Sequence, residues 1–164
     1  MSCDKDEDIV PSDNVSIIGT WNKSFFTRYD TEGDVYSEGA YDTIRIEKLS
    51  INNSVIQEMF IDTIGQFYFL MYSSYEFENG MLKKYPESLI DIDMNIYYWN
   101  PEDNTFGTFP VRARPFESSI TQSDNSKFIE NRIFDDFESM DIVYNRINEN
   151  SIDLKIEFEN YGNN

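Results

Sequence analysis

Apolar and polar side chains alternate along most of this chain with a period of two, in short stretches separated by turn residues. Period two is the signature of strands whose faces meet different surroundings. The pattern predicts strands near residues 17–29, 35–41, 43–49, 55–61, 66–77 and 81–85, then 89–99, 127–134, 140–145 and 152–158. The alternation is cleanest at 89–99, where Ile90, Ile92, Met94, Ile96 and Tyr98 share one face and Asp91, Asp93, Asn95, Tyr97 and Trp99 the other. In 152–158, Ile152, Leu154, Ile156 and Phe158 alternate with Asp153, Lys155 and Glu157. The stretch at 66–77, QFYFLMYSSYEF, is nearly all apolar, which predicts a strand covered on both faces or lining a cavity.

The punctuation agrees. DTEGD at 30–34, INNS at 51–54, ENG at 78–80, NPEDNT at 100–105 and NENS at 148–151 are turn signals. Residues 110–126, rich in Pro, Ser and Asn, read as a loop. No helical stripe follows Ile17. Residues 1–14 are polar and acidic with little to bury, and are expected to be a disordered tether ahead of one domain over 15–164. Nine or ten strands joined by tight turns predict an all-β fold, and a single closed antiparallel barrel is preferred because closure removes exposed strand edges.

Composition sharpens this. Aromatic residues are 16% of the chain, with 13 Phe and 11 Tyr, which suits pleated surfaces. Alanine, the best helix former, occurs only at positions 40 and 113. The net charge of −18, from 31 acids against 13 bases, repels nucleic acid and anionic lipid surfaces. Absence of histidine removes the commonest general base and transition-metal ligand, and one cysteine cannot build a thiolate zinc site. No Ser/His pair, phosphate loop or EF-hand pattern is present. Asp91, Asp93 and Asn95 would lie about 6.6 Å apart along a strand, a glycosidase-like spacing that any solvated strand face also shows. Neither an enzyme, a cofactor nor a metal is therefore expected.

Cys3 is the only cysteine, and Asp4, Asp6, Glu7 and Asp8 crowd it with only Lys5 opposing. That field raises a thiol pKa and disfavours nucleophilic chemistry. The run Ser2–Asp8 resembles the mature start of a bacterial lipoprotein, in which the cysteine carries the acyl chains and the acids behind it resemble a surface-export tag. The resemblance implies lipid anchoring through Cys3 to an outer membrane, at the cell surface, as the membrane contact of an exported protein.

Ile18-Gly19-Thr20-Trp21 is similar to the Gly-x-Trp that opens lipocalin-like (calycin-type) barrels, and the stretch 144–154 resembles the closing hairpin of bacterial lipocalin-like lipoproteins. This implies a glycine at the turn into the barrel and Trp21 as a plug at one end. It also implies a basic residue packed over that ring, for which Arg146 or Arg132 is available. The expected function is non-catalytic binding. Phe67, Phe69, Met71, Tyr75 and Phe77, on one face of the apolar strand, either fill the barrel or line a cavity for a small hydrophobic ligand. The alternative is a glycan or protein partner on the outer face, through Tyr97 and Trp99.

Overall fold

The computed structural model describes residues 16–41, 45–134 and 138–162. Its elements run β1 (Gly19–Tyr29), β2 (Val35–Ala40), β3 (Arg45–Ile51), β4 (Val55–Asp62), β5 (Phe67–Glu78) and β6 (Met81–Asp91). They continue through β7 (Ile96–Tyr98), β8 (Thr105–Phe106), β9 (Phe109–Arg112), β10 (Phe116–Asp124), β11 (Lys127–Ile133), β12 (Ser139–Asn148) and α1 (Leu154–Gly162). Eight of the strands, β1, β3–β6 and β10–β12, form a closed antiparallel barrel. The ring closes twice over long sequence separations: β1 pairs with β12 from Thr20↔Asn148 to Tyr29↔Ser139, and β6 pairs with β10 over Phe116↔Lys84 to Ser119↔Met81. The fold is all-β, a single closed antiparallel barrel, as the alternating pattern implied.

The two ends of the barrel differ. At the closed end, Trp21 is fully buried with Ile51, Ile56, Phe128 and Tyr144. Its ring meets Phe128 edge-on at 4.6 Å, and its indole N–H donates to the Ile17 carbonyl at 2.9 Å. The Arg146 guanidinium lies 4.2 Å from the ring centroid and donates to the Ser16 carbonyl at 3.1 Å. Gly19 has φ of 142°, and a Cβ there would stand 2.9 Å from the Asn148 carbonyl oxygen, so a side chain is excluded where the strands draw together.

At the opposite end the barrel splits. The first residues of β1, Gly19–Asn22, pair with β3, whereas Phe25–Tyr29 pair with β2. In the same way β6 pairs with β10 only through Lys84, and past the bulge at Pro86–Ser88 it pairs with β7 instead. Proline has no N–H to give a ladder and belongs at such an irregularity.

Three sequence expectations are corrected. The strand expected at 152–158 is a helix. Its alternation also satisfies helical spacing: Leu154 and Phe158, one turn apart, are fully buried, while Ile156 is 67% exposed. Asp153 caps it, accepting from the Lys155 N–H at 3.0 Å. The expected closing hairpin at 144–154 is therefore absent, and β12 closes on β1. The helix covers the outer face of β3–β5, packing on Met59, Ile61, Leu70 and Ile90, which is why 66–77 is apolar on both faces. The strand expected at 89–99 is broken after Asp91. That carboxylate accepts from the Asn95 N–H at 2.8 Å, and Met94 takes φ of 65° in the resulting turn. Lastly, the loop expected at 110–126 contains most of β9 and all of β10, whose Ser118 and Ile120 point into the core.

The fully enclosed tryptophan generates a stability prediction. Trp21→Ala is expected to cost about 3–5 kcal/mol through cavity formation, read as a lowered urea midpoint with little change in slope.

Candidate functional site

The inner face of the barrel is layered. Above the apolar closed end lies a belt of charge: Glu58 on β4, Lys84 on β6, and Glu130 and Arg132 on β11. Glu130 is 1% exposed and Lys84 is 2% exposed. Glu130 accepts hydrogen bonds from Arg132 at 2.9 Å, from the Tyr144 hydroxyl at 2.8 Å and from the Ser118 hydroxyl at 2.8 Å. Lys84 donates to Glu58 at 3.1 Å and stands 3.9 Å from Glu130. Phe116 sits between the two cations, 4.5 Å from the Lys84 ammonium and 4.8 Å from the Arg132 guanidinium. Lys23 and Glu47 form a further pair on the strands opposite.

Burial drives the titration of this belt in opposing directions. It pushes the Glu130 carboxyl up, but the Arg132 and Lys84 charges and the hydrogen bonds from Arg132 and Tyr144 prevail and hold it well below the ordinary range. Glu58 is lowered against its own burial by Lys84, Lys23 and Arg132. Burial lowers Lys84 despite Glu130 and Glu58. Burial and the Glu130 charge together raise Tyr144 well above its usual value.

The belt floors a cavity of about 270 Å³ that opens at the split end. Its apolar walls are Met71, Pro86, Ala113, Phe116, Ile133 and Phe134. Its charged lining is Glu58, Lys84, Arg112, Arg114, Glu117 and Arg132. Among the described residues, four basic side chains and two acidic ones thus line this cavity. Glu117 is held outward by Lys83 at 3.0 Å.

The five aromatic-strand candidates are distributed over three places in the barrel. Of them, Met71 lines the cavity. Tyr75 and Phe77 pack against the closed-end core. Phe67 and Phe69 join a ring cluster with Phe60 and Phe109, Phe69 stacking on Phe60 at 5.1 Å and Phe67 on Phe109 at 5.7 Å. Tyr97 and Trp99 are each half-buried. Tyr97 lies 5.2 Å from Phe109 and donates to Asp91 at 2.9 Å, and the Trp99 N–H donates to the Ala113 carbonyl at 2.8 Å. On the same segment it is Ile96 and Tyr98 that are exposed, at 56% and 75%. Cys3 lies outside the described residues.

Sequence reasoning missed the charge belt. Glu130 and Arg132 sit two apart on β11, which puts both side chains on one face, but the period alone does not say that this face is the inner one. Among the described residues there is no cluster of acidic or cysteine side chains positioned to hold a metal, and no helix long and apolar enough to cross a membrane.

No protein-family model matches the chain, and no curated protein matches it significantly. Among solved structures, the crystal structure of a lipocalin-like protein from Bacteroides uniformis is similar, with a TM-score of 0.49 and 7% sequence identity over 79% of this chain and 97% of that one.

The belt makes stability depend on pH. Because the folded carboxyl of Glu130 titrates below its ordinary 4.5, its contribution is complete above that pH and is lost as pH falls beneath it. Glu130→Gln leaves two buried cations with one carboxylate fewer, so it is expected to cost about 3–5 kcal/mol at pH 7 and to flatten the acid limb. Urea unfolding of both proteins at pH 7 and pH 3 measures this, and the two should differ much less at the lower pH.

Proposed function

We propose that this chain is a non-catalytic binding protein that holds one small molecule in the cavity at the split end of its barrel. The observation that carries the reading is the cavity itself. It has a charged side-chain floor and walls with apolar surface from Met71, Pro86, Phe116, Ile133 and Phe134. Pockets of this kind, largely apolar with a few convergent polar groups, are the usual form of a small-molecule site. The volume sets a limit. At about 270 Å³ the space suits a compact ligand and excludes a long lipid, because the charge belt and Trp21 fill the barrel below it.

The acidic stretch with Cys3 supports lipid anchoring of this binding module at an outer membrane, facing outward. Several acyl chains on one cysteine would anchor it stably, since each buried methylene contributes about 0.8 kcal/mol.

A second reading, recognition of a protein or glycan on the outer face, has one observation in its favour. Ile96 and Tyr98 on β7 offer exposed apolar surface beside the half-buried Tyr97 and Trp99.

Native mass spectrometry of protein purified from its own host tests the main reading. The expected spectrum carries a non-covalent adduct of one small molecule and an acyl increment on Cys3. Met71→Trp, which places an indole in the cavity, is expected to abolish the adduct and leave the acyl increment unchanged. An adduct that persists in that folded variant would move the site out of the barrel.

A further inference from the structure

We infer that the cavity continues along an aromatic wall inside the barrel mouth, and that this wall takes a flat, uncharged aromatic ring carried by the ligand. The inference rests on the cavity being the binding site, and it names the chemistry recognised above the charged floor.

Strand alternation places the wall. Met59, Ile61 and Leu70 pack against the helix on the outer face, whereas Glu58 and Met71 line the cavity. Phe60 on β4 alternates with Met59 and Ile61, and Phe67 and Phe69 on β5 keep step with Met71, so all three stand on the inner face. Phe69 lies one inward step, about 6.6 Å along the strand, from Met71 toward the open end, and Phe67 lies one step further. Phe109 joins the same cluster from β9, which also supplies Arg112 to the cavity lining. The wall is thus contiguous with the cavity through two strands.

The four rings hold one another. Phe60 and Phe69 stack at 5.1 Å, and Phe67 and Phe109 stack at 5.7 Å. The two stacks meet edge-on, with Phe67 at 6.1 Å from Phe60 and 5.7 Å from Phe69. A guest ring therefore meets a surface that is already ordered, which lowers the entropic cost of binding. Yet all four rings are only half-buried. At the closed end the interior rings Trp21, Phe128 and Tyr144 are at most 1% exposed. Rings that served only as core would be covered to the same degree, and the surface left on these inner-face rings is turned to the mouth.

The polar groups bordering the wall are engaged. The Tyr97 hydroxyl donates to Asp91 at 2.9 Å, and Arg45 lies 5.6 Å from the Phe60 centroid beside Asp62 at 3.8 Å. A sugar needs hydrogen-bond partners around its edge, and a flat hydrocarbon ring needs none. The quadrupoles of aromatic rings favour an offset-stacked or edge-on aromatic neighbour, a gain beyond buried area that an aliphatic body does not obtain.

Calorimetric titration of the full chain at pH 7 compares 2-naphthylmethanol with its saturated counterpart, decahydro-2-naphthylmethanol. The saturated alcohol is the more apolar, so burial of area alone favours it. The naphthyl alcohol is expected to bind about three- to tenfold more tightly, and its protons to show nuclear Overhauser contacts to the Phe67 and Phe69 rings. The double variant Phe67→Leu/Phe69→Leu keeps the wall apolar and removes two rings. It is expected to bind the saturated alcohol as before and to lose the naphthyl preference. Should it fail to fold, the Overhauser contacts in the unaltered chain decide. Equal affinity, or a preference for the saturated alcohol, overturns the aromatic inference while leaving the cavity as the site. Binding of neither overturns both. A naphthyl preference that survives loss of both rings, or Overhauser contacts that bypass them, overturns the wall as its source.

Discussion

Closure of the sheet between its first and last strands is the constraint from which the rest follows. The β1–β12 ladder joins residues more than a hundred positions apart, so the chain must order almost all of itself before this seam can form. Once formed, it leaves the barrel strands without a free edge along the seam and creates an inside. Trp21 lies on the seam, and Gly19 lets the backbone beside it come within van der Waals reach of β12. The indole, Phe128 and Tyr144 then close one end. Because that end is packed solid, anything the barrel holds must enter by the other.

The same closure explains how four charged side chains come to sit in the interior. Burying ions is expensive, and a pair that has lost one partner is costlier still. Here each oxygen of Glu130 is used: one by Arg132 and the Tyr144 hydroxyl, the other by Ser118, with Lys84 near it. These partners come from β6, β10, β11 and β12, so the network is complete only when β6 has met β10. Replacing a buried ionic network with well-packed apolar side chains is often neutral or stabilising, so the belt is not explained by stability alone, and it is also the cavity floor.

Much of this architecture was legible along the chain, and the failures have particular causes. Strands β3, β4 and β11 are legible nearly to their ends because each alternates between turn residues, and β5 because its apolar run is bounded by turn residues on both sides. The helix was misread because Leu154, Ile156 and Phe158 fit both periods, and seven residues are too few to separate them. Only tertiary packing, which takes Leu154 and Phe158 and leaves Ile156 in solvent, decides between the two. The break at Asp91 was hidden because its cause is a side chain bonding to the backbone four residues on, which competes with the ladder rather than with the hydrophobic pattern. The glycine and tryptophan of the opening motif were legible as such. The charge belt was not: Ser118, Glu130 and Arg132 carry the composition of a solvated face, and their place inside is a property of strand register around the closed ring.

The split end gives those interior charges access to solvent. If β6 continued in register with β10 beyond Lys84, the gap now lined by Pro86, Phe116 and the Arg112–Arg114 segment would be sealed by main-chain hydrogen bonds. Proline cannot donate to that ladder, and the extra residue at Pro86–Ser88 turns β6 toward β7 instead. β1 diverges from β3 toward β2 in the corresponding way. Two strands shared between a tight ring and an outlying hairpin therefore open one end while the other stays packed. The cavity sits where the ring stops being continuous, directly above its most polar layer, so its floor is charged and the hydrocarbon of the closed end lies sealed beneath that floor.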